Sequence, residues 1–94
     1  HRLVHEALEQ VRLADRLGQL GLTGPRSHGN FLLIRFADPD VAGAALKALN
    51  AAGVIPRRVA GYGLPECLRI TVGTAAENDA VVAALTDFVQ DGKS

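Results

Sequence analysis

Apolar residues recur at three- and four-residue steps over His1 to Leu20: Leu3 or Val4, Leu8, Val11, Leu17 and Leu20, with Glu6, Glu9, Arg12, Asp15 and Arg16 between them. That spacing predicts an amphipathic helix, ended by Gly21 at C′. Thr23 to Gly29 is rich in Gly, Pro and Ser and reads as a connection. Asn30 to Phe36 follows as a strand, its FLLIR core too apolar for a fully exposed edge. Asp38-Pro39 opens a second helix with an N-cap carboxylate and a proline at N1, where the missing N–H costs nothing. That helix runs through Val41, Ala45, Leu46 and Leu49 to about Ala52 and ends at Gly53.

Two short apolar segments come next, Val54 to Val59 and Leu68 to Val72, both with the β-branched enrichment and turn-residue boundaries of strands. Thr74-Ala75-Ala76-Glu77 has the spacing of a capping box and starts a third helix carrying Val81, Val82, Leu85, Phe88 and Val89, with a frayed tail from Gln90 to Ser94. The order αβαββα predicts an α/β (α+β) two-layer sandwich, a small, mostly antiparallel three-stranded sheet with helices packed on one face. Ninety-four residues suit one such domain, spanning 1–94.

The departure from this plain pattern is charge. Arg57, Arg58 and Arg69 stand inside the two strand segments, where ordinary polar residues would serve. Alternation places Leu68, Ile70 and Val72 on the core side and Arg69 and Thr71 on the other. In a regular strand Arg57 and Arg58 point to opposite faces; a bulge would exchange them. Pro56 implies a strand that gives up a ladder hydrogen bond or lies at an edge. From spacing alone, the favoured reading of Arg69 is a surface strand arginine paired with a neighbour such as Glu66.

Composition narrows the partners. Ten basic and ten acidic residues cancel to a formal net charge of +0, which leaves no bulk footprint for nucleic acid or an anionic membrane, so any anion site is local. The single Cys67 cannot form an internal disulfide and reads as a small apolar filler. With no signal peptide and no apolar run long enough to span a bilayer, the expected setting is a reducing cytoplasm. His1, His5 and His28 lack metal-ligand spacing and read as solvent-exposed; no metal site is expected. Gly61-Tyr62-Gly63 lacks the third glycine and the strand-to-helix setting of a phosphate loop. Beginning at His1 in place of Met, the chain reads as cut or trimmed from a longer one.

The Gly-Val-Ile-x-Arg segment at 53–57, the Gly-Tyr-Gly-Leu-Pro loop at 61–65 and the run Leu-Arg-Ile-Thr-Val-Gly-Thr-x-x-Glu-Asn at 68–78 resemble, in order and spacing, the C-terminal end of the histidinol-phosphate aminotransferases. These are fold-type-I enzymes that use pyridoxal phosphate. Weaker similarity extends back through Asn30-Phe31 and Gly21-Leu22, so nearly all of the chain is covered.

The resemblance implies a fragment, the small domain of a cytoplasmic, homodimeric transaminase several times longer. That enzyme exchanges an amino group between histidinol phosphate and 2-oxoglutarate, making imidazole acetol phosphate and glutamate in histidine biosynthesis. Arg69 would bind the substrate's anionic group, and Arg57 would join it from the neighbouring strand. Tyr62 would lie near the active-site entrance, or merely pack in a tight connector; Asn30 would brace the cleft, or merely bond locally to backbone. Arg58 takes the place of Arg57 if a bulge intervenes. The cofactor lysine, its aspartate partner and the cofactor-phosphate cup would all belong to the absent large domain. Neither Lys47 nor Lys93 has the family's surrounding motif. The chain alone is therefore expected to be inactive and to bind no cofactor.

Two other readings stay open. An aromatic-amino-acid aminotransferase or threonine-phosphate decarboxylase would use the same arginine grip, and a free-standing regulatory module would bind a small ligand by itself. RNA binding would want exposed aromatics and a basic face, and the strands offer only Phe31 and Phe36 with no net charge.

Overall fold

A computed structural model describes residues 2–22, 24, 31–59, 61 and 63–91, with backbone alone over 2–6. Its elements are α1 (Arg2–Gln19), β1 (Phe31–Arg35), α2 (Pro39–Ala51), β2 (Arg57–Val59), β3 (Leu64–Thr71) and α3 (Ala75–Gln90). The strands form one antiparallel sheet in the order β1-β3-β2. All three helices pack on one side of it: α1 meets β1, α2 meets β3, and α3 lies against both helices. The two-layer α/β sandwich expected from the pattern is the observed fold.

The helix ends follow their sequence signals. Gly21 and Gly53 have φ of 75° and 85°. Each carries a Schellman turn, with Leu22 N–H donating to the Leu17 carbonyl at 3.0 Å and Val54 N–H to that of Leu49 at 2.9 Å. Asp38 accepts from Val41 N–H at 2.8 Å and caps α2. Thr74 and Glu77 form the reciprocal capping box of α3. Gln90, expected in the frayed tail, is the last helical residue.

The core is built from Leu13, Leu17 and Leu22, from Ile34, Phe36, Leu68, Ile70 and Val72 of the sheet segment, and from the inward faces of α2 and α3. Phe36 and Phe88 meet edge to face with centroids 6.1 Å apart. One expectation fails here. Leu8 and Val11, read as part of the apolar stripe of α1, are 64% and 69% exposed, and the buried line is Glu9, Leu13 and Leu17 at steps of four. Leu13, Leu17 and half-buried Leu20 form the inward apolar set, and Glu9 joins it through a polar contact described below.

The strand bounds also shift. Val54 to Pro56 are not in the sheet, because the ladder begins only after Pro56, which has no N–H to give it. In the other direction β3 starts at Leu64 instead of Leu68 and absorbs Leu64-Pro65 from the expected loop. Pro65 is tolerated in this middle strand because it falls in the break of the β2 ladder, between the Arg58–Leu68 and Val59–Leu64 pairs, so its missing N–H takes no ladder bond away and its carbonyl accepts from the Arg58 side chain at 3.4 Å. β1 is an edge strand, yet not a bare one: Arg35 N–H donates to the Leu22 carbonyl at 3.3 Å. Gly24 sits so close to the Leu33 carbonyl that a β-carbon there would collide with backbone. Asn30 and Tyr62, with His1, His28 and Lys93, lie outside the described residues, as does the side chain of His5.

Candidate functional site

The sheet has a second face, turned away from the helices. In the register Arg57 is paired with Arg69, and Arg58 with Leu68. Alternation then separates the two neighbours on β2: Arg57 shares the open face with Arg69, and Arg58 shares the helix side with buried Leu68. The ladder is irregular, but only between Arg58 and Val59, one residue too late to exchange them. Arg58 is spoken for. Its Nη2 donates to the carbonyls of Pro39 at 3.2 Å and Pro65 at 3.4 Å, across Gly43, whose missing side chain leaves room for the guanidinium.

Arg57 and Arg69 have no such partners. Among the described residues neither guanidinium donates a hydrogen bond or joins an ion pair. Glu66, the neighbour that spacing suggested for Arg69, instead lies 3.7 Å from Arg35 Nε. Arg69 lies over the ring of Phe31, its guanidinium carbon 5.2 Å from the centroid, a cation–π contact. Like charges directly opposite each other on adjacent strands repel. This pair is thus a local concentration of positive charge that the described residues leave uncompensated, in a chain of zero net charge.

Beside the pair is a hollow of about 280 Å³ lined by Phe31, Leu33, Val59, Leu64 and Arg69. The break after Arg58 makes it: Val59 pairs with Leu64, which brings an apolar side chain from the start of β3 to the arginine face. The face therefore joins guanidinium donors to an apolar wall, the usual composition of a small-molecule subsite.

A buried network fixes the far end of β3. Asn78, 1% exposed, accepts from Gly73 N–H at 2.9 Å and donates Nδ2 to the Gly73 carbonyl at 3.0 Å and to Glu9 Oε1 at 2.9 Å. Arg12 grips Glu9 through two bonds, Nε to Oε2 at 3.2 Å and Nη2 to Oε1 at 2.8 Å. Arg12 and Arg16 both reach Asp79, at 3.0 and 3.1 Å. The hydrogen bond to Glu9, and after it that to Asp79, holds the Arg12 guanidinium protonated more firmly than an ordinary arginine. The network ties α1 to α3 and pins the chain four residues after Arg69. Sequence reading missed it, because Glu9 and Asn78 look like ordinary surface polar residues; the only cue was Asn78 within the Glu-Asn end of the motif.

Lys47, the lysine among the described residues, is exposed on α2, in the helix layer behind the sheet, so among the described residues no lysine stands on the arginine face. Among the described residues no cluster of His, Cys, Asp or Glu has metal-site geometry, and no helix is long and apolar enough to cross a membrane.

The sheet thus has one face backed by three helices and one open face bearing the paired arginines. The family model for aminotransferase class I and II matches residues 7–85, and the chain belongs to that family. Within it, the chain is 54% identical over 80 residues to the histidinol-phosphate aminotransferase of Paramagnetospirillum magneticum, covering 82% of this chain and 22% of that protein. It is 49% identical over 81 residues to the enzyme of the same name from Jannaschia, covering 86% and 22%. Among solved structures it superposes on histidinol-phosphate aminotransferase from Sinorhizobium meliloti in complex with pyridoxal-5'-phosphate, with TM-score 0.79 and 27% identity, over 94% of this chain and 24% of that one. A putative aminotransferase from Burkholderia pseudomallei gives TM-score 0.80 at 28% identity, over 90% and 26%. The chain thus spans 22% of the length of the curated relatives it matches.

Proposed function

We propose that residues 1–94 are the small domain of a histidinol-phosphate transaminase and that Arg57 and Arg69 bind the anionic group of its substrates. The observation that carries this is the Arg57–Arg69 pair: two guanidinium groups on one open face, directly opposite, with no anionic partner among the described residues. A phosphate supplies what the pair lacks. Guanidinium forks donate parallel hydrogen bonds to phosphate or carboxylate oxygens, and two of them on adjacent strands match a dianion better than either alone. The same pair serves histidinol phosphate in one half of the exchange and the distal carboxylate of 2-oxoglutarate or glutamate in the other. Binding there, remote from the reacting carbon, fixes the orientation of the substrate without taking part in bond making. Identity of 54% with a histidinol-phosphate enzyme supports this branch over aromatic-amino-acid aminotransferases, threonine-phosphate decarboxylase or a free-standing regulatory module.

Pyridoxal phosphate belongs to the proposed parent and not to this chain. The described residues do not fit it, since Lys47 is on the wrong side of the sheet, and the remaining length of the parent would hold it. The large domain and a second copy of the whole enzyme are the proposed partners. A cytoplasmic setting is proposed with them, supported by the free, buried Cys67.

The test is complementation. The full-length gene product should restore growth of a histidine auxotroph lacking this transaminase. The 94-residue chain should not, and should retain no pyridoxal phosphate absorbance after gel filtration. Failure of the full-length product to rescue, with the protein expressed and folded, rejects the reading.

A further inference from the structure

We infer that Phe31 is a positioning residue for the anion site, an inference that rests on the reading of Arg57 and Arg69 given above. The register explains how. Phe31 pairs with Thr71 and Leu33 with Arg69, so the Phe31 ring is the diagonal neighbour of Arg69 on the open face. Arg69 has two directions to take across the sheet. Toward β2 it meets Arg57, its own partner in the ladder, and is repelled; toward β1 it meets the Phe31 ring, and there it lies, 5.2 Å from the centroid.

The choice of an aromatic neighbour has a chemical consequence. A carboxylate in that place would hold Arg69 by consuming N–H donors and cancelling its charge. A ring attracts the cation through its quadrupole and uses none of the donors. Arg69 is thereby kept half-buried at the edge of the apolar hollow with its charge and its fork still available. Phe31 is itself anchored, since the Gln10 side-chain amide of α1 donates to its carbonyl at 3.3 Å. The ring is therefore part of a held strand end and not a loose cover.

The test uses the 94-residue chain, inorganic phosphate as probe, and the Phe31→Leu, Phe31→Tyr and Arg69→Gln variants. Side-chain NMR of arginine Nε–H groups reads the position of Arg69, and the same titration reads phosphate affinity. Phe31→Leu should remove the ring-current shift of the Arg69 signal and weaken phosphate binding three- to tenfold, while Phe31→Tyr retains both. A merely structural role would instead leave Phe31→Leu poorly folded and Phe31→Tyr equally impaired, or would leave binding unchanged in both. Phosphate affinity that is unchanged in Phe31→Leu but lost in Arg69→Gln overturns the positioning role and leaves the arginine site standing. No phosphate binding by the unsubstituted chain overturns both.

Discussion

Arg57 and Arg69 are ladder partners on β2 and β3, two like charges held face to face on the side of the sheet that no helix covers. A sheet selected for stability alone would not place them so, because an opposed like-charged pair costs about 0.2–1 kcal/mol relative to neutral residues. Arg57→Thr should accordingly raise the unfolding free energy of the chain by about 0.5 kcal/mol in low salt. Phosphate at 100 times its Kd should stabilise the unsubstituted chain by about 2.7 kcal/mol, and most of that should vanish in the variant. Urea denaturation with and without phosphate measures both. A variant less stable than its parent, with the phosphate effect intact, contradicts the assignment.

Asn78 should matter more to stability than any residue of the arginine face. Its amide satisfies both backbone groups of Gly73 and one oxygen of Glu9. Asn78→Ala takes this partner from both Gly73 backbone groups and removes one of the bonds Glu9 accepts, Arg12 still holding Glu9, and should cost about 3 kcal/mol, an unsatisfied buried group costing about 1–3 kcal/mol. Thermal or urea unfolding gives the number, and a loss under about 0.5 kcal/mol, the level of an ordinary surface change, contradicts the network.

The capping box gives a pH dependence with a definite sign. Glu77 titrates below the ordinary glutamate range because its carboxylate accepts the Thr74 backbone N–H and, secondarily, interacts with the Thr74 side chain. A carboxyl with a lowered folded pKa contributes stability that is present above its unfolded pKa and lost as the pH falls through the folded one. The stability difference between the parent chain and Glu77→Gln should therefore be flat above the ordinary glutamate value and shrink as the solution is acidified past it. A difference that grows on acidification reverses the sign and removes the assignment.

Much of this architecture is legible in the sequence, and the exceptions share a cause. Gly21, Gly53, Asp38-Pro39 and Thr74…Glu77 mark helix ends by local chemistry, and the structure puts each to that use. Separation of Arg57 from Arg58 also follows from a local rule, the alternation of a strand. Long-range pairing is what the sequence hides. The start of β3 at Leu64 rests on its pairing with Val59 across the break in the β2 ladder, and the burial of Glu9 beside Leu13 and Leu17 is matched by its bond from Asn78, 69 residues away. The contact of Phe31 with Arg69 is of the same kind, a diagonal pair that exists only once the register is known.

Leu8, Val11 and Ile55 are large apolar side chains left 64%, 69% and 86% exposed. Such apolar surface favours contact with another surface, and the separated domain should therefore self-associate. Sedimentation at rising concentration should show mass above the monomer, reduced by Leu8→Glu with Val11→Lys. A monomer throughout the range contradicts the expectation.

The most direct test of the arginine site is substrate discrimination by the full-length enzyme. Histidinol phosphate and histidinol differ only in the phosphate, so the ratio of their kcat/KM values isolates what that group contributes. Arg69→Gln should lower kcat/KM for histidinol phosphate about 100-fold, equivalent to about 2.7 kcal/mol, and change that for histidinol by less than about threefold. Equal losses for both substrates, or none for either, would place the phosphate elsewhere and leave Arg57 and Arg69 without the role proposed here.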